Sequence, residues 1–436
     1  MEKVLPKGWL KLNFTDLLDI KGGNQPPKSQ FINEPQEGYV RLLQIRDFGN
    51  KPVPTYVPIK QNQLECNEND VLIARYGASI GRIVTGMKGT YNVALAKVIS
   101  PEILPKNFIK WYLKSDIFQR PITSTQRTAQ NGFNKEDLES VIFPLPPLVE
   151  QERIVAKLDK LFAQHEKIKV ALDRIPQMLK NFRQQILTQA VTGKLTVEWR
   201  EGKELEEWKN LNLIDVILEK PRNGYSPRAV EYATQLKSLS LSATTSGKFD
   251  PSFVKYIDEE KPPLSSHLWL KNGDILLQRS NSLDYVGTAA IYDGVDFDFI
   301  YPDIMMKVRA NKLIEIKYLY FILSSKTTKK YYRENATGTA GNMPKINQEI
   351  VSKTPVLLPP LQEQQEIVRR VESLFAKAGI IEASYQLLKA KVESLPQAIL
   401  NKAFKGELVP QLSTDGDAKD LLAEIMALKN DTKKRK

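Results

Sequence analysis

The chain has 436 residues, with 63 lysines and arginines against 51 aspartates and glutamates, for a net charge of +12. That length exceeds one ordinary core and predicts two or more domains, while the cationic excess favours polyanionic partners, nucleic acid first. No run of about 18 uncharged apolar residues occurs, Cys66 is the single cysteine, and only His165 and His267 stand beside it, so a membrane span, an internal disulfide and a His/Cys zinc site are all excluded.

In chain order, the N-terminus "MEKVLPKGWLKLNF" lacks the apolar stretch of a signal peptide, and a cytoplasmic location is expected. Residues 1–146 form a first mixed α/β domain. Short β-rich runs such as "YVRLLQIRDF" and "DVLIARYG" alternate there with polar turns. Residues 147–199 read as a long helix. It starts at "PPL", where proline has no amide to leave unpaired, and stops at Gly193, which suits a helix C-terminus. Residues 200–359 form a second domain weakly similar to the first. "WLKLNFTDLLDIKGGNQPP" is matched by "WKNLNLIDVILEKPRNGYSP", and "NENDVLIARYGASIGRIV" by "KNGDILLQRSNSLDYVGTAAI". A second long helix over 360–410 ends at Gly406, and residues 411–436 are a charged tail closing in "KKRK".

The two helices are copies. At an offset of 213, Leu145–Ala163 matches Leu358–Ala376 at 11 of 19 positions, and "QQILTQAVTGKL" aligns with "QAILNKAFKGEL" at the same offset. Ile154, Leu158, Leu161, His165, Ile168, Leu172, Ile175, Leu179, Phe182 and Ile186 keep an unbroken 4-3 spacing. The second copy places Ile367, Val371, Leu374, Ala378, Ile381, Tyr385, Leu388, Val392, Leu395 and Ile399 in the same register. Such a stripe predicts a coiled-coil seam, and two equal stripes in one chain predict an antiparallel pair. Pro176 and Pro396 interrupt it, and an interior proline costs roughly 3 kcal/mol, so a kink or break is expected near each. The fold class is therefore α+β: two mixed α/β domains joined by two long helices in an antiparallel coiled coil. Two divergent domains held apart by a rigid spacer suit recognition of two different short targets.

These residues resemble the specificity subunit of type I restriction–modification enzymes, the HsdS family. The signature "LPPLxEQxxIVxxLDxLFA", leading into a helix that ends in "TGKL" or "KGEL", stands here twice. Ile175–Arg200 is especially similar to the enteric-type branch. The resemblance implies two target-recognition domains that read an asymmetric, interrupted double-stranded DNA site, with the helices as a ruler for the gap. It also implies docking of two methyltransferase subunits, which use S-adenosylmethionine to modify adenine at N6. Restriction motor subunits consuming ATP with magnesium would join the complex. This chain would bind no cofactor and perform no catalysis.

The residues agree with a binding subunit. No "GxxxxGK[ST]" phosphate loop and no "[DN]PP[YF]" motif occur. Glu259 and Lys261 with Asp250 upstream copy a nuclease spacing, but that pattern is common in a charged chain and is read as solvated surface. A self-contained nuclease or methyltransferase and a coiled-coil scaffold with incidental basic charge are the competing readings. Arginine and asparagine or glutamine grip base edges bidentately, whereas lysine and serine more often hold phosphates. On that chemistry the DNA-binding candidates of the first domain are Lys21, Asn24, Lys28, Arg75, Tyr76, Ser79, Arg82, Arg127, Gln130 and Asn131. Those of the second are Arg222, Asn223, Tyr225, Arg228, Arg279, Asn281, Ser282, Asn342 and Lys345.

Overall fold

A computed structural model describes residues 5–124, 132–338 and 343–434. Its longer helices are α1 (Lys106–Lys114), α2 (Asp116–Ser124), α3 (Leu148–Leu172), α4 (Ile175–Val191), α5 (Ile316–Ser324), α6 (Lys326–Asn335), α7 (Leu361–Phe404) and α8 (Ala418–Lys434). The chain divides into two compact units, one of Met1–Asp173 with Leu387–Lys436 and one of Arg174–Gln386. Each therefore combines one mixed α/β domain, part of the first long helix and part of α7.

In the first unit, Leu10–Asn13 pairs antiparallel with Ile142–Leu145, placing Leu12 opposite Phe143. A four-stranded antiparallel sheet runs in the order Asp19–Gly22, Leu95–Ile99, Leu72–Ala74, Ile83–Val84. Tyr39–Leu43 and Gly89–Tyr91 pair in parallel within a second four-stranded sheet. The core joins Phe108, Tyr112 and Phe143 of the domain to Ile154 and Leu158 of α3 and to Leu400 and Phe404 of α7. Each such aromatic or aliphatic side chain taken out of water contributes about 1.5–3 kcal/mol. Within the expected charged tail, Ala418–Lys434 forms the helix α8, whose Leu421 and Ile425 enter the same core.

The second unit repeats the plan. Lys209–Asn212 pairs with Pro355–Leu358, and a four-stranded sheet runs Arg222–Asn223, Met305–Val308, Ile275–Gln278, Ala289–Ile291. Its core takes Ile186, Leu187 and Ala190 from α4 and Ile367, Val368 and Val371 from α7.

The repeated "PPLxEQ" motif has a structural cause. Glu150, buried, accepts from Trp9 Nε1 at 2.8 Å and Gln411 Nε2 at 3.0 Å. Its copy Glu363 accepts from Trp208 Nε1 at 2.9 Å and Thr196 Oγ1 at 2.6 Å, and also pairs with Arg200. Gln151 and Gln364 donate to the carbonyls of Pro146 and Pro359, each at 2.9 Å. Each motif thus clamps the start of a domain to the start of a long helix.

Within each unit the helices run antiparallel. His165 meets Val392 and Arg153 meets Asp415 in the first unit; Arg183 meets Glu382 and Arg370 meets Leu195 in the second. Gly193 and Gly406 follow the helix ends with φ of 77° and 70°, the left-handed conformation expected there.

Two expectations are corrected. The stripe is not a uniformly buried seam. Ile154, Leu158, Leu172, Leu179, Ile186, Ile367, Val371, Ala378, Tyr385 and Val392 are buried, and Leu161, His165, Ile175, Leu374 and Ile399 are half-buried. Ile168, Phe182, Ile381, Leu388 and Leu395 are exposed. A pair of helices covers one edge of an a/d stripe more fully than the other when no further helix closes it.

The prolines also differ from one another. The first spacer breaks at Asp173–Arg174, just before Pro176, whereas Pro396 leaves α7 unbroken to Phe404. Proline at 396 has no amide for the carbonyl of Val392 one turn earlier. His165 Nε2 reaches that carbonyl at 2.9 Å from the facing helix and supplies the missing donor.

Candidate nucleic-acid interface

In each unit some of the candidate side chains, Asn24 and Arg75 in the first and Asn223, Tyr225 and Arg279 in the second, lie where one tight turn approaches the end of a central strand. After Asp19–Gly22 the amides of Gly23 and Asn24 donate to Leu95 O and Tyr91 O at 3.0 and 3.1 Å. A β-carbon on Gly23 would stand 2.1 Å from the Tyr91 carbonyl oxygen, so only glycine lets the chain pass. Gly224 occupies the same place in the second unit, where a β-carbon would stand 1.9 Å from Tyr301 O and the next amide, of Tyr225, donates to that oxygen at 2.9 Å.

Beside each turn lies an arginine that follows the central strand. The amides of Arg75 and Arg279 donate to Ala94 O and Ile304 O at 2.8 and 2.9 Å. Arg75 is packed against the turn, since a β-carbon on Gly22 would stand 2.6 Å from its Nη1. Its Nε donates to Phe133 O at 3.2 Å, and its guanidinium lies 5.2 Å from the centroid of the Tyr76 ring. Arg279 is held differently. Its Nη1 donates to Asp303 O at 3.3 Å, while its Nε is buried without a partner among the described residues. Asn223 Oδ1 is in the same condition. Both residues line a cleft of about 610 Å³ together with Lys220 and Asn347. Buried polar atoms are nearly always bonded, so a donor and an acceptor without internal partners in one basic cleft are equipment for a hydrogen-bonding ligand.

An acid braces the sheet behind each arginine. Asp70 pairs with Lys97 at 2.6 Å and Lys106 at 2.8 Å. Burial pushes its carboxyl up, but the bonds from Lys106 and Lys97 outweigh burial and bring it down to about 2. Asp274, its counterpart, is fully buried and takes a bidentate Arg309 at 2.6 and 2.7 Å.

The family model of the type I restriction modification DNA specificity domain matches residues 6–175 and again 206–390. The chain belongs to that family. It is 32% identical over 450 residues to the type I restriction enzyme EcoKI specificity subunit of Escherichia coli K12, covering 97% of this chain and 96% of the relative. It is 31% identical over 429 residues to the StySPI specificity subunit of Salmonella potsdam, covering 93% and 90%. Among solved structures, the HsdS subunit from Thermoanaerobacter tengcongensis aligns with a TM-score of 0.59 at 18% identity, covering 93% of this chain and 99% of that one. A chain from a type I R-M system, solved for its complex assembly and conformational transition, aligns with a TM-score of 0.67 at 18% identity, covering 93% and 100%. These two likenesses concern the fold.

As a type I specificity chain, the molecule places the expected contacts unevenly. Lys21, Asn24, Lys28, Tyr76, Arg82, Arg222, Tyr225, Arg228, Ser282 and Lys345 are exposed, and Arg75, Ser79, Asn223, Arg279 and Asn281 are half-buried. Several are already engaged. Arg82 donates to Phe48 O at 2.5 Å, and Arg222 pairs with Glu219 at 3.2 Å. Asn281 is engaged as well: its Nδ2 donates to Gln278 Oε1 and its Oδ1 accepts from the Ser282 amide. Arg127, Gln130, Asn131 and Asn342 lie outside the described residues.

The structure adds residues that sequence reasoning passed over. Gln30, whose Oε1 is buried without a partner among the described residues, shares a cleft of about 360 Å³ with Asn24, Lys60 and Gln61. Lys220 joins Asn223 and Arg279. The polar run "KQNQ" at Lys60–Gln63 was the available signal for the first cleft. No helix among the described residues is long and apolar enough to cross a membrane.

Proposed function

We propose that this chain is the non-catalytic DNA reader of a type I restriction–modification complex, binding an asymmetric bipartite site with one half assigned to each domain. The observation that carries the reading is the pair Arg75 and Arg279. They hold equivalent strand-end positions beside equivalent glycine turns, yet their side-chain partners differ. The same scaffold with different polar neighbours is what two different half-sites require. Methyl transfer from S-adenosylmethionine and ATP-driven motor action fall to partner subunits, and the target adenine is extruded into the methyltransferase.

The exposed apolar residues of the long helices support docking of two methyltransferase subunits. Ile168, Leu388 and Leu395 stand exposed in the first unit, and Met178, Phe182 and Ile381 in the second. Apolar side chains of this size left in water on paired helices offer a surface for further helices. The ruler role is supported by the length of α7, which has 44 residues. If straight, such a helix is about 66 Å long.

The test is selection of bound duplexes from a random library by the chain co-expressed with its methyltransferase subunits. Two short blocks at a fixed gap are expected. Inserting one heptad into α3 and one into the facing part of α7 should lengthen the gap and leave both blocks unchanged. A contiguous motif would overturn the split reading, an unaltered gap the ruler, and no binding at all would favour a scaffold.

A further inference from the structure

The second unit carries a cleft of about 1470 Å³ between α4 and α6 that the reading loops do not account for. One wall is cationic. Lys326, Lys329, Lys330 and Arg333 follow one another along α6 at spacings of three, one and three, which puts all four on one helix face. Lys180, in the second turn of α4, and Lys194, just past its end, add two more charges. The opposing wall is neutral and polar, formed by Asn181, Gln184, Thr188 and Gln189 of α4.

Six cations face a single lining acid, Asp284, which is shared with Arg333 at 3.8 Å. Lys330 has Glu334 at 3.7 Å. Lys180, Lys194, Lys326 and Lys329 have no acidic partner among the described residues. Like charges on one helix face repel unless something compensates them. Burial, followed by the nearby Arg333 and Lys180, holds the Lys329 amine below its ordinary value.

The cleft is continuous with the reading loop. Asp284 and Tyr285 line it, and Tyr285 donates its amide to Ser282 O at 2.9 Å. Arg333 Nε donates to Leu283 O at 2.9 Å, tying the cationic face to the loop that begins at Arg279. A strand of DNA read at Arg279 would therefore carry its neighbouring phosphates toward α6.

Among its described residues the first unit has no such wall. Aligning the helix starts Ser115 and Ser325 sets Asp116, Gln119, Arg120 and Thr123 against Lys326, Lys329, Lys330 and Arg333. There Arg120 is neutralised by Asp116 at 2.7 Å, and Gln119 donates to Gly81 O and Leu113 O.

From this asymmetry we infer that the α4–α6 cleft binds the sugar–phosphate backbone of duplex DNA beside the second half-site, as a sequence-independent anchor without a counterpart among the described residues of the first domain. Amides and hydroxyls opposite lysines are a usual lining for phosphate oxygens. An acidic protein surface is the competing occupant; continuity with the Arg279 loop favours DNA. The inference rests on the DNA-reading function proposed above.

The test measures binding of the chain, assembled with its methyltransferase subunits, to a duplex carrying the selected site and to an unrelated duplex, between 50 and 200 mM salt. Each phosphate contact contributes a slope of about −0.9 in log K against log salt. K326Q with K329Q should flatten that slope by about 1 to 2 on both duplexes, leave the selected bases unchanged, and be rescued by K326R with K329R. Removing two charges on α8, K419Q with K429Q, should leave the slope alone. An unchanged slope in K326Q/K329Q overturns the inference, and loss of subunit affinity in the same variant reassigns the cleft to an acidic protein partner. If the unaltered chain binds neither duplex, the DNA-reading function itself fails.

Discussion

The two units solve the same mechanical problem with different amounts of charge. In the first, Glu150 clamps the domain to its helix by accepting from two neutral donors, Trp9 and Gln411. In the second, Glu363 does so with Trp208, Thr196 and the cation Arg200. The contrast continues outward. Arg75 is satisfied by a carbonyl and an aromatic ring, while Arg279 and Asn223 keep buried polar atoms without a partner among the described residues and α6 carries a cationic face that acids compensate only in part. Duplication thus retained the clamp, the order of one four-stranded sheet and the glycine turn, and varied the polar groups of the candidate interface.

The largest effect should come from breaking the clamps. Glu363→Ala leaves Arg200 near a buried, uncompensated site and should cost about 3–5 kcal/mol. Glu150→Ala removes hydrogen bonds to neutral donors and should cost about 1–3 kcal/mol. Peptide-resolved hydrogen exchange reads each loss in its own unit. Equal losses would erase the distinction between the two clamps.

Asp70 gives the next effect, through pH. Its carboxyl lies at about 2 in the folded chain against 3.8 ordinarily. A lowered value means that the stabilisation is complete above about pH 4 and fades as pH falls toward 2. The difference corresponds to about 2 kcal/mol. Urea unfolding of Asp70→Asn should lose that much at pH 7 and show a weaker dependence between pH 4 and 2. An unchanged acid limb would remove the role given to Lys97 and Lys106.

The smallest effect isolates the unbroken α7. His165→Ala orphans the Val392 carbonyl and should cost about 1 kcal/mol. In a Pro396→Ala background, where the amide returns, the same substitution should cost less. A double-mutant cycle with no coupling would show that His165 is merely packed.

Much of this architecture was legible in the sequence because duplication writes its own evidence. The offset of 213 exposed the helices, and Gly193 and Gly406 marked their ends. The matched "WLKLN" and "WKNLN" segments pointed to paired domains, though the reason for the tryptophans, a bond to Glu150 or Glu363, needed coordinates. The 4-3 spacing identified a stripe but not which edge faces the partner helix, so Ile168, Phe182, Ile381, Leu388 and Leu395 were placed in a seam that leaves them exposed. Periodicity reports that a face is apolar and is silent on what covers it. Nor can spacing tell that a histidine on a facing helix will serve a proline 231 positions away, as His165 does for Pro396. Site chemistry was hardest to read. Residue type overlooked Gln30 and Lys220, because whether a polar group is free depends on neighbours distant in sequence.

The central claim is that each domain reads its own half of the target. It is tested most directly by repeating the duplex selection with Arg75→Gln and Arg279→Gln separately. Loss of a bidentate guanine contact costs about 1–3 kcal/mol of discrimination. The account predicts that Arg75→Gln relaxes one block of the motif, that Arg279→Gln relaxes the other, and that the gap stays constant. Relaxation of both blocks by either variant would contradict it.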